Sequence, residues 1–124
     1  MLKTLVVLFL LLLIPANGRA TSAQQPAPTE FALLFTTGSA WDMSKQPAQQ
    51  PHFAGHSANL RRLREGGILI TGGRFGPYGL MIVRAPTQDS VMRLLAPDST
   101  IAAGVFKVQV ERWRTVYSGT LGTP

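Results

Sequence analysis

The chain has 124 residues, which is the length of one domain. It has no cysteine, which excludes disulfides and thiolate metal sites. Its net charge of +6 comes from basic residues scattered along the chain, not from the concentrated patch that nucleic acid requires, so we expect no nucleic-acid partner.

The first 23 residues are typical of a secretory signal peptide. The short positive stretch MLK precedes the apolar run TLVVLFLLLLI, and a proline and several small residues follow it. This run is shorter than the roughly 20 residues that a membrane-spanning helix needs. Cleavage after Ala20 or Ala23 removes two basic residues and no acid, so the net charge falls from +6 to +4. We therefore expect an exported protein, periplasmic or secreted, with no stable membrane span after cleavage; an uncleaved N-terminal anchor is the alternative.

The segment after the signal peptide alternates between polar connections and regular elements. Residues 24–30, QQPAPTE, are expected to form a flexible tether because they contain little to bury. The apolar run Phe31–Thr37 predicts a buried strand. The polar loop GSAWDMSKQPAQQ follows, and loops of this length inside small domains are often binding loops. A helix is predicted over Pro51–Glu65, since proline suits the first helical turn and a pair of glycines ends the pattern.

The second half of the chain predicts a hairpin, a helix and a last strand. Ile68–Gly73 and Leu80–Ala85 are apolar runs joined by a short segment with glycine and proline, which favours a hairpin. Thr87 is a plausible N-cap for a helix over TQDSVMRLLA. Apolar and polar residues alternate in Val105–Trp113, which predicts a strand with one solvated face. Residues 115–124 are expected to form a loose tail.

The predicted order of elements is β-α-β-β-α-β. This order is typical of an α+β, ferredoxin-like subunit, in which two helices cover one face of a four-stranded antiparallel sheet. Residues 31–114 would form this domain. The second face of such a sheet has no covering layer, and in a domain of this size a second copy commonly buries it. We therefore expect a homodimer.

One histidine lies where the helix should contact the core. At helical spacing, the inward face consists of Phe53, His56, Leu60 and Leu63. His56 is either a structural histidine bonded to a carbonyl, or a proton-transfer group, because imidazole can exchange a proton near neutral pH. The second interpretation needs a carboxylate partner. Asp98, in the turn before the last strand, is the best candidate. The alternative role for Asp98 is to cap a helix or a turn. Asp42 in the long loop is a second candidate. Alternatively, Asp42 is a solvated turn residue without a functional role.

Metal and cofactor sites are not favoured. His52 and His56 are four residues apart, a spacing that can bind a metal, but two ligands are too few without a third from Asp98 or Asp42. The glycine-rich stretch GGRFGPYG matches no dinucleotide or phosphate-binding pattern, since no helix follows it. We expect neither a metal nor a cofactor. Gly72, at a strand end, could let a ligand approach closely.

Other conspicuous residues have ordinary interpretations. Arginines 61, 62 and 64 are most simply the solvated face of the first helix. Phe106 and Trp113 are most simply core or dimer interface.

From Phe31 to about Trp113 the chain resembles the YCII-related domain family. The resemblance lies in FALLF, HSANLRRLREGGIL, TGG and DSTIAAGVFKVQVERW, and the loop WDMSKQPAQQPHFAGH resembles one branch. It implies a dimeric α/β-barrel built from ferredoxin-like subunits, with a His–Asp site in a pocket that falls on His56 and Asp98. It also implies lyase- or isomerase-like proton transfer, including loss of halide from chlorinated ring compounds in one branch. The chain departs from the family at Ser99 and Gly73, where proline is common, and Ser99 is expected to loosen the turn that holds Asp98.

Two functional hypotheses follow. In the first, the protein is an enzyme in which His56, oriented by Asp98, acts as general base on a small cyclic or aromatic compound. The residues expected to line its substrate pocket are Phe35, Trp41, Asp42, Phe53 and Gly72. In the second, the same pocket belongs to a non-catalytic module that binds a small ligand. A dimer in which His56 is merely structural is a third possibility.

Overall fold

The computed structural model describes residues 28–120 and residue 122. The predicted signal peptide, residues 1–23, lies outside the described residues, as do residues 24–27 of the predicted tether. Across the part that is described, no helix is both long enough and apolar enough to cross a membrane.

The described residues form a four-stranded sheet, three helices and one short 3-10 turn. In chain order these are β1 (Thr29–Thr37), the 3-10 turn (Pro47–Gln49), α1 (Phe53–Glu65), β2 (Leu69–Phe75), β3 (Tyr78–Ala85), α2 (Gln88–Leu95), α3 (Ser99–Ala102) and β4 (Phe106–Arg112). The strands pair antiparallel in the order β2-β3-β1-β4. The helices lie on one face of the sheet, which confirms the α+β, ferredoxin-like arrangement.

Several strand boundaries differ from the prediction by one or two residues. β1 begins at Thr29, two residues early, because Thr29 and Glu30 continue the pairing with β3 and Glu30 forms an ion pair with Arg84 at 3.2 Å. The hairpin is longer than predicted, since β2 and β3 extend until only Gly76 and Pro77 separate them. A glycine suits this turn because its φ is +54°.

The helical segments also differ in detail. α1 begins at Phe53 and not at Pro51, because His52 before it has a left-handed backbone with φ of 64°. The predicted N-cap of α2 is confirmed: the Thr87 side chain accepts a hydrogen bond from the backbone N–H of Ser90 at 3.1 Å. The segment before β4, predicted as a turn, contains the one-turn helix α3.

The core lies between the helices and one face of the sheet. Alternate residues of β1, namely Phe31, Leu33 and Phe35, point toward the helices and are almost fully buried. They pack in one cluster with Val91 and Leu95 of α2. The intervening residues of β1 point to the opposite face, which none of the described helices covers.

A close backbone contact joins the end of β1 to the start of β4. Gly38 donates its backbone N–H to the carbonyl of Val105 at 2.8 Å, and Ala40 donates to the carbonyl of Gly104 at 3.0 Å. A Cβ atom at Gly38 would overlap the carbonyl oxygen of Gly104, which is backbone and cannot swing aside. Glycine at position 38 is therefore required by the packing of the two strands.

We predict that Gly38→Ala destabilises the fold by about 1–3 kcal/mol or more, since overpacking against backbone forces the strands apart. The matched control is Gly73→Ala, where an added Cβ meets nothing within 4 Å. That change should leave the free energy of unfolding within about 0.5 kcal/mol of wild type, or raise it slightly. Urea denaturation of the three proteins measures the difference, and equal stability of the two variants would contradict the packing argument.

Candidate functional site

Helix α1 carries His56 on the face that meets the sheet and α3. His56, Asn59 and Leu63 are its buried residues, at the spacing of one helical face. Gly55, next to His56, lets α3 come close: a Cβ at this position would lie 2.5 Å from the Ser99 hydroxyl oxygen. The absence of a side chain at position 55 thus permits the contact between α1 and the start of α3.

This contact brings together two groups that are 42 positions apart in the chain. Nδ1 of His56 lies 2.6 Å from Oδ2 of Asp98, as the sequence predicts. Both residues are buried, with 7% of His56 and 1% of Asp98 exposed. The second carboxylate oxygen of Asp98 accepts hydrogen bonds from the backbone N–H of Thr100, at 3.1 Å, and from the Thr100 hydroxyl. Asp98 is therefore both the N-cap of α3 and the partner of the imidazole.

The turn that holds Asp98 is regular, in contrast to the loosening expected from Ser99. Asp98 caps α3 through Thr100, and the backbone N–H of Ala103 donates to the carbonyl of Ser99 at 3.0 Å. A helical first turn tolerates serine as readily as proline, since the N–H of serine needs no intrahelical partner there and proline has no N–H.

Asp98 is held in its ionised form. Burial by itself raises the pKa of this carboxyl, but the hydrogen bonds from His56 and Thr100 outweigh it, and the pKa lies below its ordinary value of 3.8. An ionised carboxylate can only accept hydrogen bonds, so the hydrogen between the two groups belongs to Nδ1 of His56. This places the lone pair of the neutral ring on Nε2.

Aromatic rings surround the other sides of the imidazole. The centre of the His56 ring lies 5.1 Å from that of Phe35, 5.8 Å from that of Phe53 and 4.9 Å from that of Phe106. Within residues 28–120, Nε2 of His56 has no hydrogen-bond partner. Every fully buried side-chain nitrogen or oxygen of this region has a partner, so Nε2 is not fully buried. Nε2 is therefore open to the space in front of the ring.

That space is a cavity of about 410 Å³ between α1, the sheet and the loop before α1. A cavity of this size holds a small organic molecule. Its lining is mostly apolar and consists of Phe35, Thr37, Trp41, Met43, Pro47, Phe53, His56, Ser57, Leu60, Arg74, Pro77, Gly79, Met81 and Phe106. The sequence-predicted residues Phe35, Trp41 and Phe53 thus line the same cavity as His56.

The loop before α1 covers the cavity and is held by one buried amide. The side chain of Gln50 accepts from the backbone N–H of Asp42 at 2.9 Å, and donates to the carbonyls of Asp42 at 2.6 Å and Lys45 at 3.2 Å. Trp41, at the start of this loop, packs against Phe106 with ring centres 5.4 Å apart. These contacts hold the loop in place over the cavity.

Two predicted pocket residues do not line this cavity. The carboxylate of Asp42 accepts from the backbone N–H and the hydroxyl of Ser44 and pairs with Lys45 at 3.3 Å. These Ser44 hydrogen bonds are the main reason that the pKa of Asp42 is lowered. Gly72 lines a neighbouring hollow, and a Cβ there would overlap the sulfur of Met81. Asp42 thus stabilises its own turn, and Gly72 makes room for Met81, which does line the cavity.

Four residues that matter to the site were not singled out for it by sequence reasoning. They are Gly55, Gln50, Arg74 and Phe106. Gly55 had a detectable signal, because glycine inside a helix is unfavourable unless something approaches closely. Phe106 was interpreted as core or interface, and it is half-buried beside His56. No local pattern distinguishes Gln50 or Arg74 from ordinary surface residues.

The second histidine takes no part in the pair. His52 is exposed and precedes α1, and it does not line the cavity. Among the described residues, no three His, Cys, Asp or Glu side chains gather at a position that could hold a metal ion.

The lowered pKa of Asp98 predicts how the free energy of unfolding depends on pH. A carboxyl whose pKa is lower in the folded than in the unfolded state contributes stability that is fully present above its unfolded value. That contribution is lost as the pH falls through the lower, folded value. We expect Asp98→Asn, which keeps the helix cap, to be about 1–3 kcal/mol less stable at neutral pH and to converge toward wild type below about pH 4.

Chemical denaturation from pH 7 down to pH 2.5 measures this convergence. Asp89→Asn is the matched control, because Asp89 lies exposed in the first turn of α2 and its loss should change the curve little. Parallel stability curves for wild type and Asp98→Asn would show that the buried pair does not hold the carboxyl ionised.

Comparison with known proteins adds one solved structure. No protein-family model matches the chain, and no curated protein matches it either. The chain is similar to 5-chloro-2-hydroxyhydroquinone dehydrochlorinase (TftG) from Burkholderia phenoliruptrix AC1100, solved in complex with 2,5-dihydroxybenzoquinone. The match has 21% identity and a TM-score of 0.45, and covers 68% of this chain and 93% of that one.

Proposed function

We propose that the cavity binds a small cyclic or aromatic compound and that His56 acts on it as a general base. The observation that carries this proposal is the arrangement of the two ring nitrogens: Nδ1 is fixed by a buried carboxylate, and Nε2 is open to an apolar cavity. If His56 had only a structural role, both of its ring nitrogens would be enclosed by packed protein atoms.

The geometry supports proton abstraction in a simple sequence. Nε2 of His56 takes a proton from the bound compound, and the bonding electrons of that C–H or O–H bond remain on the compound. The imidazolium that forms is stabilised by the carboxylate of Asp98, 2.6 Å from the other nitrogen. The same proton can then return to another atom of the compound, which is isomerisation. Alternatively, the electrons left on the compound can expel a leaving group such as halide, which is elimination, and the imidazolium then releases its proton to water.

The cavity walls favour a flat ring as the substrate. Phe35, Phe53 and Phe106 present aromatic surface around the imidazole, and aromatic rings pack well against one another in edge-to-face or offset arrangements. The resemblance to the YCII-related family supports the same class of reaction. Within this proposal, Phe35, Trp41 and Phe53 bind substrate, and Asp98 orients and stabilises the base.

The proposal predicts that His56→Gln strongly slows proton transfer. Two probes test it: exchange of the ring hydrogens of cyclohexane-1,2-dione with deuterated solvent, followed by NMR, and halide release from chlorohydroquinone. We expect wild type to accelerate at least one reaction and His56→Gln to lower that rate by about 10²–10⁴-fold, the usual contribution of a general base. The matched control is His52→Asn, which removes the other imidazole and suits the left-handed backbone there.

An unchanged rate in His56→Gln would end the general-base proposal. Probe binding without any chemical change in wild type would instead favour the second hypothesis, a module that binds a small ligand through the same cavity.

We also propose that the protein is a homodimer that buries the second face of the sheet. That face carries apolar side chains from three strands, including Leu34, Leu80 and the exposed pair Phe75 and Tyr78, whose ring centres are 5.2 Å apart. Phe75 is 53% and Tyr78 41% exposed in the single chain. An uncovered apolar face of this kind is typical of an interface.

Light scattering after size-exclusion chromatography tests the dimer. We expect wild type to elute as a dimer and Leu34→Lys, which places a charge in the middle of this face, to elute as a folded monomer. Met92→Lys is the control, since Met92 is also an exposed apolar residue but lies on α2, on the helical side. A monomeric wild type would refute the proposal.

A further inference from the structure

We infer that the ligand of the His56 cavity carries a carboxylate, and that Arg74 binds it. This inference rests on the proposed function of the cavity and adds to it the chemical class of the compound: a ring with an acidic substituent on the side away from His56. Its basis is the position of Arg74, the lack of any acid near it, and the shape of the cavity floor.

The register of the sheet places Arg74 across the cavity from the imidazole. Arg74 of β2 pairs with Gly79 of β3, and Gly79 pairs with Phe35 of β1. Residues directly opposite in antiparallel strands point to the same face, so these three share one row on the helical side. Two strand spacings separate the Cα atoms of Arg74 and Phe35, which is about 10 Å. The Phe35 ring in turn contacts His56.

The middle position of this row makes room for the ligand. Gly79 has no side chain, so the floor between Arg74 and Phe35 is open backbone, and both Gly79 and Arg74 line the cavity. A larger residue at position 79 would fill part of the cavity between Arg74 and His56. A flat ring lying over Gly79 would have Nε2 of His56 on one side and Arg74 on the other.

Within the described residues, no acidic side chain pairs with the positive charge of Arg74. There its guanidinium makes no ion pair and no hydrogen bond, since the ion pairs of this region join Lys45 to Asp42, His56 to Asp98 and Arg84 to Glu30. No Asp or Glu lines the cavity. When His56 is protonated, its charge and that of the ionised Asp98 cancel, and Arg74 gives the cavity a positive potential. When the ring is neutral, the charge of Asp98 remains, but Asp98 does not line the cavity, whereas Arg74 does.

A neighbouring hollow strengthens this potential. Arg61 and Arg64 of α1 line it together with Arg74, and it too has no acidic residue in its wall. Like charges gathered without acids between them repel one another, and an anion relieves that repulsion. Arginine is also the side chain whose planar fork matches a carboxylate, with two parallel N–H···O bonds. The arrangement therefore selects a ring acid over a neutral ring of the same shape.

Benzoate and benzamide are the probes, because they have the same size and differ in charge. Trp41 lines the cavity and reports binding through its fluorescence; Trp113→Phe, used as the background, removes the only other tryptophan of the chain. We expect benzoate to bind at least about tenfold more tightly than benzamide. Arg74→Gln should reduce this preference about tenfold while the affinity for benzamide stays the same.

Arg61→Gln is the matched control, since it removes the same charge from the neighbouring hollow without touching the cavity. It should change the preference by about threefold at most. Three results would overturn the inference: no binding of benzoate at millimolar concentration, an unchanged preference in Arg74→Gln, or an equal loss in Arg61→Gln. None of them concerns proton transfer, so the His56→Gln exchange experiment still decides the proposed function separately.

Discussion

The hydrogen bond between His56 and Asp98 is the constraint on which the site depends. It joins α1 to the capped turn of α3, and burial makes it strong because little water competes for either group. Its formation requires the helices to approach closely, which Gly55 permits. The same bond determines which imidazole nitrogen is available to a ligand. Stability and chemistry are thus combined in one contact, since the carboxylate that caps α3 also orients the ring.

The cavity arises from a local defect in otherwise regular packing. Most residues of the helical face of the sheet fill the core, but the row through Gly79 lacks one side chain between Phe35 and Arg74. The loop before α1 closes over this gap and is fixed by the buried amide of Gln50. The outcome is a mostly apolar cavity lined by His56 on one side and by Arg74 on the other. In our proposal, the charge of Arg74 favours a ring with one anionic substituent over a wholly apolar ligand.

Periodicity and chain order were sufficient for much of the fold. The 3.6-residue spacing in α1 predicted that His56 points inward, and the order of elements predicted the ferredoxin-like sheet. The position of Asp98 after the second helix made it the best candidate partner of His56, and the resemblance to the YCII-related family implied the pair. Two residues predicted to bind substrate, Asp42 and Gly72, do not line the cavity. Asp42 turns to Ser44 and Lys45, and Gly72 lies beneath Met81, because short-range hydrogen bonds and neighbouring volumes decided their environments.

The amino-acid sequence by itself determined the elements, their order and the inward imidazole, because these depend on local patterns of apolar and polar residues along the chain. Only the tertiary structure decided which residues line the cavity together with that imidazole. Arg74 and Gly79 become cavity residues through strand register, and Phe106 through the pairing of β4 with β1, none of which a local pattern encodes. Function at this site depends on such cross-strand neighbours, since a cavity is defined by residues that are distant in sequence and close in space.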